Sequence, residues 1–278
     1  MCFTGSTCAH KRDQQKQQAE TIKRINNSPN LPLATKRAFE RQSKYPTGHC
    51  FGRPLAHKGL ALTPYEFYDK LAVNFGKQPV HVPAKCACGA AYTLEHALTC
   101  PTGGNRIGRH NMVRDEAGDL CEESLGASSF HVSYELVIGE RGDGKKSDIR
   151  ARGLNPADQM KETDIDIRLF YPDAPSYIRK PIDSLLQQQE KEKMVKYKDR
   201  VEAQGRLFLP FIISTDGVIG EEGRKMMGWL GSKLGKKWGK DRSLVMAYVR
   251  AKMSVAIARA VSACIRGDRT CKRVNRGF

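Results

Sequence analysis

The sequence predicts an α/β fold, a mixed sheet flanked by helices, and three consecutive stretches predict it. Residues 163–170 alternate, with Ile165, Ile167 and Leu169 on one side and Asp164, Asp166 and Arg168 on the other. That is the period of a strand with two unlike faces. Residues 207–214, Leu-Phe-Leu-Pro-Phe-Ile-Ile-Ser, form a near-continuous apolar run, as a buried strand does. Between them, residues 183–204 read as a charged helix.

The remaining elements follow in order. Residues 11–24 are rich in Gln and Lys and predict a frayed helix or disordered arm. A short helix over 35–42 follows the breaks at Pro29 and Pro32, and residues 46–58 read as irregular. Thr63 is a good N-cap, Pro64 suits the first helical position and Glu66 completes a capping box, so a helix starts there. Phe67, Leu71 and Phe75 form its apolar stripe and Gly76 its stop. Residues 109–125 predict a helix with Met112, Val113, Leu120 and Cys121 among its apolar positions. Strands are expected over 130–138 and 147–152, with a turn at 139–144. Helices over 222–234 and 244–264 close the chain; small and apolar residues at helical spacing over 251–265 predict that the last packs on the sheet, with Arg250, Lys252, Arg259 and Arg266 on its outer side. No internal repeat is visible. The expected organisation is a basic N-terminal arm (1–60), a helix with a Cys/His box (61–105), an α/β core (106–220) and basic C-terminal helices (221–278).

The formal charge is +17, and it is unevenly spread. Residues 1–60 carry eleven Lys/Arg against three acids, and residues 221–278 fifteen against four, so the centre is near neutral. Two basic flanks around a neutral centre are what a chain needs to hold a polyanion at its ends and do chemistry in the middle. Nucleic acid is the expected partner, with no membrane: no run is long enough for a span, and residues 1–20 lack an apolar signal core. Nine cysteines, an odd number, fit a reducing intracellular compartment, where clustered thiols are metal ligands more often than disulfides.

The clustered thiols lie in Cys86-Ala-Cys88-x7-His96-x3-Cys100. Three thiols and one imidazole suit a closed, structural zinc site. Gly89 relieves the tight Cys86–Cys88 turn, and His96 and Cys100 lie one helical turn apart. Cys50 with His49 and His57 is a weaker second set. Cys2, Cys8, Cys121, Cys264 and Cys271 are scattered.

Carboxylates on neighbouring strands can hold a divalent ion beside a phosphate. Asp148 and Asp166 sit on consecutive expected strands, and Arg168 follows on the face of Asp166. Box, acidic strands and basic helices, in that order, lead to the expectation of a metal-dependent nuclease acting on DNA.

The order helix, strand, strand with Asp, strand with Asp-x-Arg, helix, buried strand resembles the PD-(D/E)xK, restriction-endonuclease-like fold. The resemblance is closer to the endonuclease region at the C-terminus of site-specific non-LTR retrotransposon and reverse-transcriptase-linked proteins. There a zinc knuckle precedes an Arg-His-Asn helix and then the nuclease strands. Here Arg109-His110-Asn111 and Arg114-Asp115 stand just after Cys100, and the similarity spans roughly residues 30–270. It implies Asp148 and Asp166 as ligands of Mg2+ or Mn2+, with zinc structural. Arg168 stands where the pattern has lysine, and arginine cannot act as a base. Lys193, a turn before Tyr197, is the expected replacement, with Lys196 as its substitute. Glu135 and Glu122 compete as a further acid, and Asp164 could stand beside Asp166. Arg109, His110, Arg114, Lys196, Lys236 and Lys237 are the expected nucleic-acid contacts; for His110 a capping or core role is preferred to catalysis. Trp238 could stack on a base. The implied role is cutting a chromosomal target for a mobile element, with DNA, or the element's RNA, as partner. The alternative is a zinc-containing DNA- or RNA-binding protein whose nuclease centre is inactive.

Overall fold

The structure, a computed structural model, describes residues 5–45, 47, 58–126, 132–138 and 146–267. The expected turn at 139–144 and the set Cys50, His49 and His57 lie outside the described residues, as do Cys2 and the basic residues beyond 267.

Four strands form one mixed sheet in the order β1 (Val132–Tyr134), β2 (Ile149–Arg152), β3 (Glu162–Phe170) and β4 (Leu207–Ser214). β1, β2 and β3 are antiparallel neighbours, whereas β3 and β4 run parallel and are joined by the crossover helix α6 (Ile182–Glu202). Pro210 fits within β4 because β4 is an edge strand, where a missing donor is tolerated. The expected alternation is present. Ile165 and Ile167 join Leu209, Phe211 and Ile213 in the main core, and Phe170, Phe208 and Ile212 face α6 in smaller clusters. The sheet therefore lies between α6 on one side and α5 (Asn105–Leu125), α7 (Glu221–Trp238) and α8 (Arg242–Arg266) on the other.

The first expected strand is shorter than its sequence run. Regular pairing of β1 ends at Tyr134, where Glu135 takes a left-handed backbone, φ 52°. Beyond this irregularity the chain still pairs with the segment before β2, through a bridge between Val137 and Lys146.

At the N-terminus, α1 (Gly5–Asn27) and α2 (Leu33–Lys44) pack together rather than forming a loose arm. α3 (Pro64–Asn74) starts with the expected capping box: Thr63 accepts from the Glu66 amide and Glu66 from the Thr63 amide. Its buried face differs from the expected stripe. Phe67 is exposed, and Asp69, Lys70, Ala72, Val73 and Asn74 are buried instead. Gly76 then has φ +59° with its backbone against α2, so that an added Cβ would stand 2.9 Å from Thr35 Cα. Gly76→Ala is expected to cost about 1–3 kcal/mol, measured as a lowered unfolding midpoint.

The last helix packs in the core as its apolar spacing over 251–265 predicts, but its cationic side is not left free. α8 runs through the interior against α3, α4 (Leu94–Thr99), α5 and α7. Its cations are used internally: Lys252 pairs with Glu116 and Glu123, and Arg266 with Asp69. Arg259 donates to the Ala61 carbonyl, while Arg250 stays exposed. None of the helices among the described residues is long and apolar enough to cross a membrane.

Candidate functional site

The Cys/His box closes as its spacing predicts. Gly89, at φ +90°, lets the chain reverse so that its amide donates to the Cys86 carbonyl at 2.8 Å and the Cys86 amide to the Ala90 carbonyl at 2.9 Å. Thr93 caps α4 by accepting from the His96 amide, and one turn later the Cys100 amide donates to the His96 carbonyl. Cys86 Sγ and Cys100 Sγ are 3.9 Å apart, Cys100 Sγ and Cys88 Sγ 4.0 Å, and Cys88 Sγ and His96 Nε2 3.3 Å. Tetrahedral Zn–S bonds of about 2.3 Å place sulfurs about 3.8 Å apart, so these donors fit a zinc ion. All four lie within 4.8 Å of one another, the only such group of three or more metal-binding side chains among the described residues. The box is anchored beyond itself: the Tyr92 hydroxyl donates to the Ile265 carbonyl of α8, and the Cys264 thiol to the Ala97 carbonyl of α4.

The acidic site forms where β2 and β3 part. β2 pairs with β3 only from Ile149 onward, so the Ile167 amide has no strand partner on that edge and Asp148 takes it. The Asp148 amide donates to the Ile165 carbonyl at 3.0 Å, and its Oδ2 accepts from the Ile167 amide at 2.6 Å. Its Oδ1 lies 2.9 Å from His110 Nε2, reaching across from α5. Asp166, nearly buried, points to the α6 side, with Oδ2 2.5 Å from Lys193 Nζ. That contact is an ion pair without the angles of a directed hydrogen bond. Burial pushes the Asp166 carboxyl above the usual range, and the neighbouring charge of Asp148 adds to it; Lys193 and His110 only partly offset them.

Around this pair, Arg168 lies 2.9 Å from Glu192 of α6, while the Lys193 and Lys196 ammoniums stand 5.5 and 4.8 Å from the Tyr197 ring centre. Asp164 is fully buried between Arg150, at 2.6 Å, and Arg206, at 2.9 Å, and leaves no room for a ligand role beside Asp166. Glu135 is half exposed and paired with Arg114 at 2.5 Å, held off the site by the left-handed turn at its own backbone. Glu122 accepts from the Tyr134 hydroxyl. The structure therefore sets two pairs at this parting, Asp148 with His110 and Asp166 with Lys193, close enough for their charges to act on one another, with Arg168 at the edge.

The expected nucleic-acid contacts divide. Arg109 is 5% exposed and donates to the Leu98 carbonyl of α4 at 3.0 Å and toward the Leu169 carbonyl of β3 at 3.4 Å. Burial pushes its guanidinium below the ordinary arginine value. It is an internal tie, unavailable to a polyanion. Arg114 is held by Asp115 and Glu135. Lys237 is tethered to the Glu123 carbonyl at 2.7 Å, and Trp238 packs edge-on to Tyr248. Lys196 and Lys236 are exposed.

Sequence reasoning placed His110 among polyanion contacts and missed its link to Asp148. The signal was helical spacing: His110 precedes the buried Val113 by three residues and so borders the face that α5 turns to the sheet. The chain matches no protein-family model and no curated protein sequence.

Proposed function

We propose that this chain is a Mg2+- or Mn2+-dependent endonuclease that hydrolyses DNA phosphodiester bonds, with the restriction-like architecture its sequence resembles. The observation that carries the reading is the pair of carboxylates, Asp148 and Asp166, at the parting of β2 and β3, with Lys193 of the crossover helix 2.5 Å from Asp166. Asp148 and Asp166 would hold the ion, which polarises the scissile phosphate and lowers the pKa of an attacking water. The chain's own residues do the rest. Lys193 and Arg168 set cations on the α6 side, where negative charge builds on the phosphate. Asp166 carries more burial and repulsion than Lys193 offsets, the condition of a carboxylate that gains from a further cation. Zinc at Cys86, Cys88, His96 and Cys100 is structural in this reading, and Lys196 and Lys236 contact the DNA backbone. The biological role proposed with it is cutting a chromosomal target for a mobile element.

The test is cleavage of labelled DNA by the purified chain with Mg2+. Asp148→Ala and Asp166→Ala should each slow it by about 100-fold or more, the scale of losing a group that stabilises transition-state charge. No cleavage by the wild type, or cleavage that survives both substitutions, sinks the assignment. One observation favours the alternative of an inactive zinc-containing nucleic-acid binder: each acid is already partnered within the chain, and no third acid joins them among the described residues. That reading predicts binding to DNA or RNA without cleavage.

A further inference from the structure

We propose that His110 is a positioning residue for Asp148, an inference that rests on reading Asp148 as an ion-binding carboxylate. A carboxylate has two oxygens with two lone pairs each. In this chain Oδ2 accepts from the Ile167 amide at 2.6 Å, and Oδ1 takes His110 Nε2 at 2.9 Å. A carboxylate only accepts, so the proton of this bond belongs to Nε2–H. One lone pair on each oxygen is thereby used by the chain, and one on each is left for an ion.

The two donors come from different layers. The Ile167 amide belongs to the sheet and cannot swing; His110 belongs to α5 on the opposite side from α6. Together they fix the carboxylate plane, which neither does alone. The contact is partly desolvated, with the two side chains 29% and 18% exposed, so water replaces it poorly. The α5 backbone at that point is pinned as well. Arg109, the preceding residue, ties α5 to α4 and β3, and Val113 buries one turn later. His110 therefore stands on a rigid platform, as a group that orients a ligand requires.

The experiment measures Mn2+ binding to the full, zinc-loaded chain by electron paramagnetic resonance, comparing wild type with Asp148→Ala, His110→Ala and His110→Gln. The glutamine amide can place an N–H near the position of Nε2–H, and alanine cannot. His110→Ala should bind Mn2+ about 10–100-fold more weakly, and His110→Gln should recover most of the loss. Thermal melts confirm that each variant is folded. If wild type binds Mn2+ and Asp148→Ala does not, yet His110→Ala binds like wild type, the positioning role is overturned alone. A folded His110→Gln as weak as His110→Ala also overturns it, because a donor at Nε2 is then not what matters. Wild type failing to bind Mn2+, or Asp148→Ala binding unchanged, overturns the ion-site reading and this inference with it.

Discussion

Arg41→Ala is expected to lower the unfolding free energy by about 3–5 kcal/mol, the cost of removing one member of a buried ion cluster. Arg41 on α2 is 3% exposed. Its guanidinium reaches Asp216, just after β4, at 2.5 Å, and grips both oxygens of Asp173, just after β3, at 2.9 and 2.5 Å. Lys70 of α3, also fully buried, donates to the Asp216 carbonyl at 2.8 Å. Truncating Arg41 leaves two buried carboxylates without their shared cation at the ends of the parallel strands. Urea denaturation checks the value. Lys44→Ala is the control, since its pair with Asp183 is about half exposed and worth about 0–1 kcal/mol. A loss for Arg41→Ala no larger than the control would show the cluster to be hydrated. The cluster also makes a pH statement. Burial would raise the Asp216 carboxyl, but Arg41, a hydrogen bond from Ser214 and Lys70 outweigh it and hold it below the usual range. A depressed carboxylate stabilises the fold above its unfolded pKa, about 3.9, and that stability drains as pH falls through the lower folded value. Arg41→Ala should therefore lose its disadvantage in acid.

What was legible in the sequence is what is local. The alternation of β3 and the apolar run of β4 each report their own burial, and the observed strands match them within a residue. The Cys/His box holds its four donors within fifteen residues, so its spacing nearly dictates its geometry. Misreadings fall where a polar side chain has a partner far along the chain. On α3 the apolar stripe of Phe67, Leu71 and Phe75 was the natural choice. The helix instead buries Lys70 for the turn after β4, and Asp69 for Ser262 and Arg266 of α8. The basic C-terminal helix read as a polyanion grip for the same reason: the acids that neutralise Lys252 lie on α5. At the acidic site, Asp148 and Asp166 were readable from strand alternation. His110 was not, because its partner sits 38 residues later on another element. Glu135 was misplaced because one left-handed residue, invisible to periodicity, turns it away. Apolar pattern makes α7 and α8 core; long-range pairing of charge decides which polar side chains are buried with them.

Stripping zinc from the Cys86–Cys100 box is expected to release far more than the box. Structural zinc contributes about 10–16 kcal/mol in peptides that fold only around it. Here the surroundings share that task, since Leu94, Ala97 and Leu98 of α4 are buried in the main core. Without the ion, Cys86 and Cys100 remain as buried thiols 3.9 Å apart, with only weak bonds to replace four coordinate ones. Beyond its backbone hydrogen bonds the Cys86–Cys88 turn has little side-chain packing to hold it, as Cys88 is exposed. Loss should spread along two routes. Through Tyr92 it reaches the Ile265 carbonyl and the last turn of α8; through Leu98 and Arg109 it reaches the start of α5, beside His110. The sheet should persist, because β4 is packed by α6 and α7 and β3 is paired along both its edges. Hydrogen exchange before and after chelation reads this pattern. Residues 85–110 and the end of α8 should lose protection, residues 163–170 and 207–214 should keep it, and mass spectrometry of the untreated chain should find one zinc. Cys100→Ser, at a 3% exposed position, should reproduce the effect more strongly than Cys88→Ser. A purified chain without zinc, or exchange over 85–100 unchanged by chelation, would show that these thiols are held by packing alone.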